Sequence, residues 1–272
     1  MRKKILAGLF LLLILTAWLL WANTALEVNT FVIESEKLPA SFDGFRIAQI
    51  SDLHNADFWE EVVAALAESE PDIIVLTGDL IDSGKTDVDA ALSFAQQAAA
   101  IAPCYAVSGN HEAWSGDAWD VLRTGLLRAG VVMLENEKVF LTREGETLAL
   151  MGLSDPAFGA DQAAILRELT AGEEYTILLS HRPERMTLYA EAGMDLVFSG
   201  HAHGGQFRFP FVGGLVAPDQ GLFPEYDAGR FQRGDTLMLV SRGIGNSIIP
   251  LRINNRPELI VAELKVSVGN SE

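Results

Sequence analysis

Five histidines occur in the 272-residue chain, and each falls just after a short run of aliphatic residues: His54, His111, His181, His201 and His203. Asp52, Asp79 and Asn110 occupy equivalent places. Histidines placed for packing alone would not all gather at the ends of such runs. The donor set is imidazole nitrogen with carboxylate and amide oxygen, without thiolate, because the single cysteine is Cys104. That mixture suits Mn, Fe or Zn, manganese first, and does not suit Cu(I) or an iron–sulfur cluster. Asp52, His54, Asp79, Asn110, His181, His201 and His203 are seven candidate ligands. They exceed one tetrahedral site and suffice for two divalent metal ions if one carboxylate bridges.

The runs that must position these groups read as buried strands: Phe45–Ser51, Asp72–Thr77, Cys104–Ser108, Tyr175–Ser180 and Asp195–Ser199. Their continuous apolar character is that of strands covered on both faces. Between them, residues 58–69, 87–101 and 117–129 carry apolar residues at helical spacing. Further strands are predicted at 131–134, 139–142, 148–153, 237–241 and 259–266, and an alternation begins near Val28. The outcome is an α/β layered domain over residues 27–272, with its polar clusters at the C-terminal ends of strands, where such sheets bind ligands.

The order of the motifs resembles the calcineurin-like metallophosphoesterase family, in its membrane-associated or exported bacterial branch. Asp52-x-His54, Gly78-Asp79, Gly109-Asn110-His111-Glu112, a lone His181 and Gly200-His201-x-His203 occur complete and in sequence. The likeness continues through Gly204-Gly205-Gln206 and residues 241–247. The resemblance implies a four-layer αββα sandwich. It also implies a first metal on Asp52, His54 and His203, a second on Asn110, His181 and His201, and Asp79 between them. Two cations so held can bind a hydroxide and clamp a phosphoryl group for in-line attack. His111, left over, would face the phosphoryl group as the catalytic residue, donating to its oxygens or protonating the leaving group. The implied activity is a dinuclear phosphoesterase, most readily a phosphodiesterase, and an N-terminal anchor at residues 1–26 points it to a membrane- or envelope-associated phosphoester, lipid-linked ones included. A UDP-2,3-diacylglucosamine-type pyrophosphate hydrolase is the alternative. A membrane-tethered metal-dependent binding module without turnover is the alternative of another class, and loss of a ligand or of His111 would have been its mark.

Neighbouring residues admit plainer roles. Asp82 reads as a solvated turn residue before Ser83-Gly84, with assistance to the site as the alternative, and Glu112 either orients His111 or supplies a helix N-terminal charge. Cys104 reads as packing. Gly204-Gly205 would let backbone approach a bound substrate, and Gly243-x-Gly245 lacks the dinucleotide fingerprint. Arg182 and Arg208 either contact an anion or form surface ion pairs. The apolar segment Phe207–Val216 reads as core, with a lip for an apolar substrate as the alternative.

At the N-terminus, Arg2-Lys3-Lys4 precedes an uncharged run from Ile5 to Ala22, broken only by Gly8 and Thr16. As a helix it would span ~27 Å, close to the ~30 Å hydrocarbon core. Trp18 and Trp21 fall where indoles favour the interface. Residues 1–26 therefore read as an uncleaved anchor with about five residues of tether, its basic flank cytoplasmic and the domain outside; secretion after signal cleavage is the alternative. Beyond residue 26 the chain holds 17 basic and 37 acidic residues, a net −20. Such a surface argues against nucleic-acid binding through a basic patch.

Overall fold

The computed structural model describes residues 2–170, 172, 174–246 and 249–267. Helix α1 (Arg2–Thr24) leads into β1 (Glu27–Ser35), followed by β2 (Arg46–Ile50), α2 (Trp59–Glu68), β3 (Ile73–Thr77) and α3 (Val88–Ile101). Next come β4 (Cys104–Val107), the one-turn α4 (Asn110–Trp114), α5 (Asp117–Arg128), β5 (Val132–Met133), β6 (Glu137–Arg143) and β7 (Glu146–Gly152). Then α6 (Gln162–Leu169), β8 (Thr176–Leu179), α7 (Met186–Glu191) and β9 (Leu196–Ser199) complete the alternating part. Two small hairpins, β10 (Arg208–Phe209) with β11 (Gly213–Gly214) and β12 (Val216–Ala217) with β13 (Gly221–Leu222), precede β14 (Gly229–Arg233), β15 (Thr236–Val240) and β16 (Glu258–Val266).

The long strands form two six-stranded mixed sheets, ordered β1-β16-β2-β3-β4-β5 and β14-β15-β9-β8-β7-β6. Strands β2 to β5 run parallel in the first and β7, β8, β9 and β15 run parallel in the second. Alternation along each strand divides the core into three bodies. Ile47, Val75 and Val107 face Leu150, Ile177 and Phe198 between the sheets. Ala48, Ile50, Ile74 and Leu76 face the other way, onto Val62, Leu66, Phe94 and Leu122 of α2, α3 and α5. On the far side, Met151, Leu178 and Val197 meet Leu166 of α6 and Tyr189 of α7. Helices thus cover the outer face of each sheet, giving the expected four-layer αββα sandwich. Gln49 ties the sheets together near the site, its Nε2 donating to Thr77 Oγ1 at 2.9 Å and to Ser199 O at 2.8 Å.

Helices α6 and α7 escape the periodicity because they are only eight and six residues long. For α6 a signal was present: Asp161 caps it, accepting from Ala163 N and Ala164 N. Strand β14 is also absent from the sequence-based elements; half its residues face solvent on an edge. Helix α1 is long and apolar enough to cross a membrane, and nearly all of it is exposed. The tether is shorter than five residues: only Ala25 and Leu26 separate α1 from β1.

Candidate metal centre

Both sheets deliver ligands from the C-terminal ends of their parallel strands. Asp52 and His54 follow β2, Asp79 follows β3, and Asn110 opens α4 after β4. From the second sheet, His181 follows β8, while His201 and His203 follow β9. The loops are drawn together by backbone bonds, Asp52 N to Gly78 O at 3.0 Å and His54 N to Asp79 O at 3.1 Å. Asp52, His54, Asp79, His201 and His203 all have φ between +44° and +64°. Left-handed backbone costs a non-glycine residue about 1–3 kcal/mol and persists only where surrounding packing imposes it. Five such residues in one cluster mark a site shaped for its donors.

Two separate groups emerge, linked by a third that consists of His54, Asp79 and His111. Asp52, His54 and His203 place one donor atom each within 4.8 Å of one another, and Asp79, His181 and His201 do the same. Asp79 Oδ2 lies 3.1 Å from His181 Nε2 and 3.6 Å from His54 Nε2, between the groups. His203 Nε2 is 3.4 Å from Asp52 Oδ1. All seven candidate ligands are buried. Within this cluster both His54 ring nitrogens, Asn110 Oδ1, His181 Nε2 and His203 Nδ1 have no hydrogen-bond partner. Buried polar atoms are ordinarily paired, so five such atoms in a cluster that also holds Asp52 and Asp79 fit a pair of cations.

The histidines are oriented from behind. His181 Nδ1–H donates to Thr77 O at 2.7 Å, leaving Nε2 as the free donor atom. His201 Nε2 lies 2.9 Å from Asp219 Oδ2. His54 Nδ1 is 3.4 Å from Asp82 Oδ2. Asp82 is therefore more than the turn residue expected: Oδ1 accepts from Gly84 N and Lys85 N, while Oδ2 reaches the site. A short side chain with two oxygens can serve both, which sequence alone does not reveal.

Of the two roles read for Glu112, the one at the helix N-terminus holds: it is the third residue of α4 and accepts from the Gly109 N–H before the helix. Among the described residues its side chain makes no hydrogen bond to His111. Oε2 accepts from Asp79 N at 2.8 Å and Gly109 N at 2.7 Å, and Oε1 accepts from Leu80 N at 2.7 Å and Ile81 N at 3.3 Å. One carboxylate thus clamps the two loops that carry Asp79 and Asn110. Gly109 is required beside it, because a Cβ there would overlap the Asp79 carboxylate. His111 is oriented instead by Ser83, whose N–H donates to Nδ1 at 2.9 Å.

Arg182, read as an anion contact or a surface ion pair, forms a buried ion pair instead: its guanidinium donates to both Asp155 oxygens, at 2.5 and 3.0 Å, and to Asp219. The acidic neighbours of its motif lie on loops distant in sequence, so the ion pair was invisible there. Its Nη1 also lies 3.8 Å from Glu184 Oε1, so the Glu184, His201 and Asp219 group already contains a cation. Arg208 does form an ion pair, with Asp227 at 3.0 Å, and also donates to Gly204 O. Packing requires glycine at 204 and 205, since a Cβ would meet Asn255 or the Gly214 backbone. Gly245 N donates to Asp52 O at 2.7 Å, so the Gly243–Gly245 segment supports the metal loop. Cys104 is packing, as expected, and burial pushes its thiol up to about 12. The segment Phe207–Val216 is not core: Phe209 and Val212 are about half exposed and Phe211 is wholly so. It leaves the globule as the β10–β11 hairpin, a tertiary outcome that composition could not foretell.

Charges in the cluster are interlocked. Burial alone would raise Asp79, yet the imidazoles of His181, His54 and His111 hold it well below the usual carboxylate range. Burial would lower His181, and Asp79 overrides it, raising His181 to about 10. Burial lowers His111 below an ordinary imidazole, and His54 adds to this. Burial and the Asp79 charge push Glu112 up to about 7 against the pull of its amide donors.

The family profile described as Calcineurin-like phosphoesterase matches residues 45–205, which carry every one of these donors. The chain belongs to the calcineurin-like phosphoesterase family. It is 32% identical over 249 residues to the metallophosphoesterase YkuE of Bacillus subtilis (strain 168), covering 88% of this chain and 86% of that one. It is 30% identical over 232 residues to the phosphodiesterase YaeI of Escherichia coli (strain K12), covering 81% and 82%. Among solved structures it resembles the phosphopantetheinyl hydrolase PptH of Mycobacterium tuberculosis, with a TM-score of 0.51 at 14% identity over 75% of this chain and 91% of that one. That last likeness is one of fold. The protein is a metal-dependent phosphoester hydrolase.

Proposed function

We propose that this metallophosphoesterase hydrolyses phosphodiesters at a dinuclear centre and does so at a membrane. The observation that carries the metal assignment is the set of buried, partnerless donors from both sheets. Asp52, His54 and His203 would hold one ion, Asn110, His181 and His201 the other, with Asp79 shared. When bound, two such ions supply electrostatic stabilisation to a phosphoryl group and acidify water.

The protein's own groups narrow the chemistry. Because a backbone N–H donates to His111 Nδ1, that nitrogen keeps its lone pair and the neutral ring carries its proton on Nε2. His111 is then a hydrogen-bond donor to phosphoryl oxygen and is poorly arranged to become an imidazolium. Charge stabilisation, rather than proton delivery, is its role. A preference for diesters follows from the cations nearest the ligands. Arg182 is neutralised by Asp155 and Asp219, and Arg252 is buried with its guanidinium donating to Arg242 O, Gly245 O and Asn246 Oδ1. Neither is free to offset the second charge of a monoester dianion, whereas a diester carries one charge. The name of the E. coli relative agrees.

The anchor reading rests on α1, and the positive flank of Arg2, Lys3 and Lys4 supports an orientation with the domain on the outer side. Manganese-loaded protein should hydrolyse bis-p-nitrophenyl phosphate faster than p-nitrophenyl phosphate, with loss of turnover on chelation. Asp79→Ala should lose metal from both positions by elemental analysis. A monoester preference, or full metal content in that variant, overturns the assignment. Metal binding without turnover on a wider diester panel would favour the binding-module alternative. Protease added to intact, wall-stripped cells should degrade the domain, and protection until lysis would reverse the orientation.

A further inference from the structure

The exposed hairpins beside the metal centre carry an unusual surface. Phe209, Phe211 and Val212 on the first and Leu222 with Phe223 on the second are all exposed, Phe209 to nearly half and the others to more than half. The two hairpins are joined, since Leu215 N donates to Gly205 O and Phe207 O while Phe223 N donates to Leu215 O. The base of the first is bonded to a later segment, Arg208 N donating to Ile253 O at 3.0 Å. That same segment grips the end of α1. Arg252 N donates to Asn23 Oδ1 at 2.7 Å, and Asn23 Nδ2 donates to Arg252 O at 3.1 Å. Arg256 donates to Ala25 O and Leu26 O and stacks over Trp21, with its guanidinium carbon 5.1 Å from the ring centroid. The anchor is thus fixed to the domain, and the hairpin tip lies three residues, ~10 Å of strand, beyond a rung adjacent to that clamp.

Charge singles out the same face. The domain carries 37 acidic residues, yet residues 196–218 and 236–257 contain none, and neither do residues 1–26. These acid-free stretches are the ones the hydrogen bonds bring together. Of the carboxylates flanking these stretches, Asp227 is paired with Arg208 and Asp219 with Arg182, while Glu225, two residues beyond Phe223, is exposed at the margin of the face. An anionic domain whose acid-free face surrounds the root of an apolar helix is suited to a lipid surface bearing anionic headgroups.

We propose that the β10–β11 hairpin, with Phe211 at its tip and Leu222 and Phe223 alongside, beds into the leaflet from which α1 emerges. This holds the domain in one orientation with the metal centre beside the headgroups. The proposal rests on the reading of α1 as a membrane anchor, and one experiment separates the two. Full-length protein carrying a nitroxide at Phe211→Cys, Val212→Cys, Phe10→Cys or Thr142→Cys is reconstituted in phosphatidylethanolamine–phosphatidylglycerol vesicles. Cys104 is buried and does not compete for label. Thr142 lies in the β6–β7 hairpin, at the end of the second sheet opposite the metal centre, and serves as the aqueous reference. Collisions with oxygen and with a water-soluble nickel chelate should place positions 211 and 212 in lipid, shifted from 142 towards 10. Positions 211 and 212 as water-exposed as 142, with 10 in lipid, overturn the docking and leave the anchor. Position 10 in water overturns both.

Discussion

Glu112→Gln tests whether a single buried carboxylate holds the metal loops together. The wild-type side chain accepts four backbone N–H groups, two on each oxygen, from residues 79, 80, 81 and 109. Glutamine has one carbonyl oxygen, so at best one pair remains bonded while an NH₂ faces the other pair. A buried donor left unsatisfied costs about 1–3 kcal/mol, so two cost about 2–6 kcal/mol. For a domain of this size that lowers Tm by about 5–20 °C. The same change loosens Gly78–Asp79 against Gly109–Asn110, and loss of such supporting bonds typically weakens metal affinity 10–100-fold. Thermal and urea unfolding of the metal-free protein, alongside titration with Mn²⁺ or Zn²⁺, measures both effects. A stability within ~0.5 kcal/mol of wild type together with unchanged affinity would refute the clamp.

His111→Ala should retain both metals and lower kcat on a diester by ~10²–10³-fold, the usual cost of one lost charge-stabilising donor; metal loss in this variant would mean the residue is a ligand. Metal uptake should release protons. His181 is raised to about 10 in the metal-free protein, so its stabilising effect is fully present below its ordinary 6.5 and lost as pH rises through about 10. Asp79, depressed, contributes above its ordinary 3.8 and loses its effect as pH falls further. Between these limits a metal must displace the His181 proton, so affinity should rise up to tenfold per pH unit, and calorimetry in two buffers should detect the released proton. Zero proton release at pH 8 would contradict the pairing. Asp155→Ala should destabilise the fold by about 3–5 kcal/mol, because it strands the buried Arg182 guanidinium; a change below ~1 kcal/mol would show that Asp219 alone suffices.

How much of this was legible beforehand depends on the range of each interaction. The histidines and carboxylates announced the metal centre because strand-end loops confine their donors to a few consecutive residues, as in Asp52-x-His54 or His201-x-His203. An α/β layered domain followed from continuous apolar runs alternating with helical ones, since burial on two faces is written in local composition, whereas the four-layer αββα arrangement came only from the resemblance of the motifs. Helix α1 needed only its length and lack of charge. Interactions that close across the chain were another matter. Asp82 reaching His54, Glu112 gripping the Asp79 loop and Arg182 buried on Asp155 join residues 27 to 33 positions apart, or unite one side chain with two loops. The fate of Phe207–Val216 was decided in the same way. Its composition suits core or lip equally, and only the packing of Gly205 on Gly214 with the rung from Arg208 to Ile253 turns its phenylalanines outward. Sequence determined which atoms could bind metal, because that depends on side-chain type and short spacing. Tertiary structure decided which polar groups hold them in place and which apolar side chains are turned outward, because those depend on where distant loops come to rest.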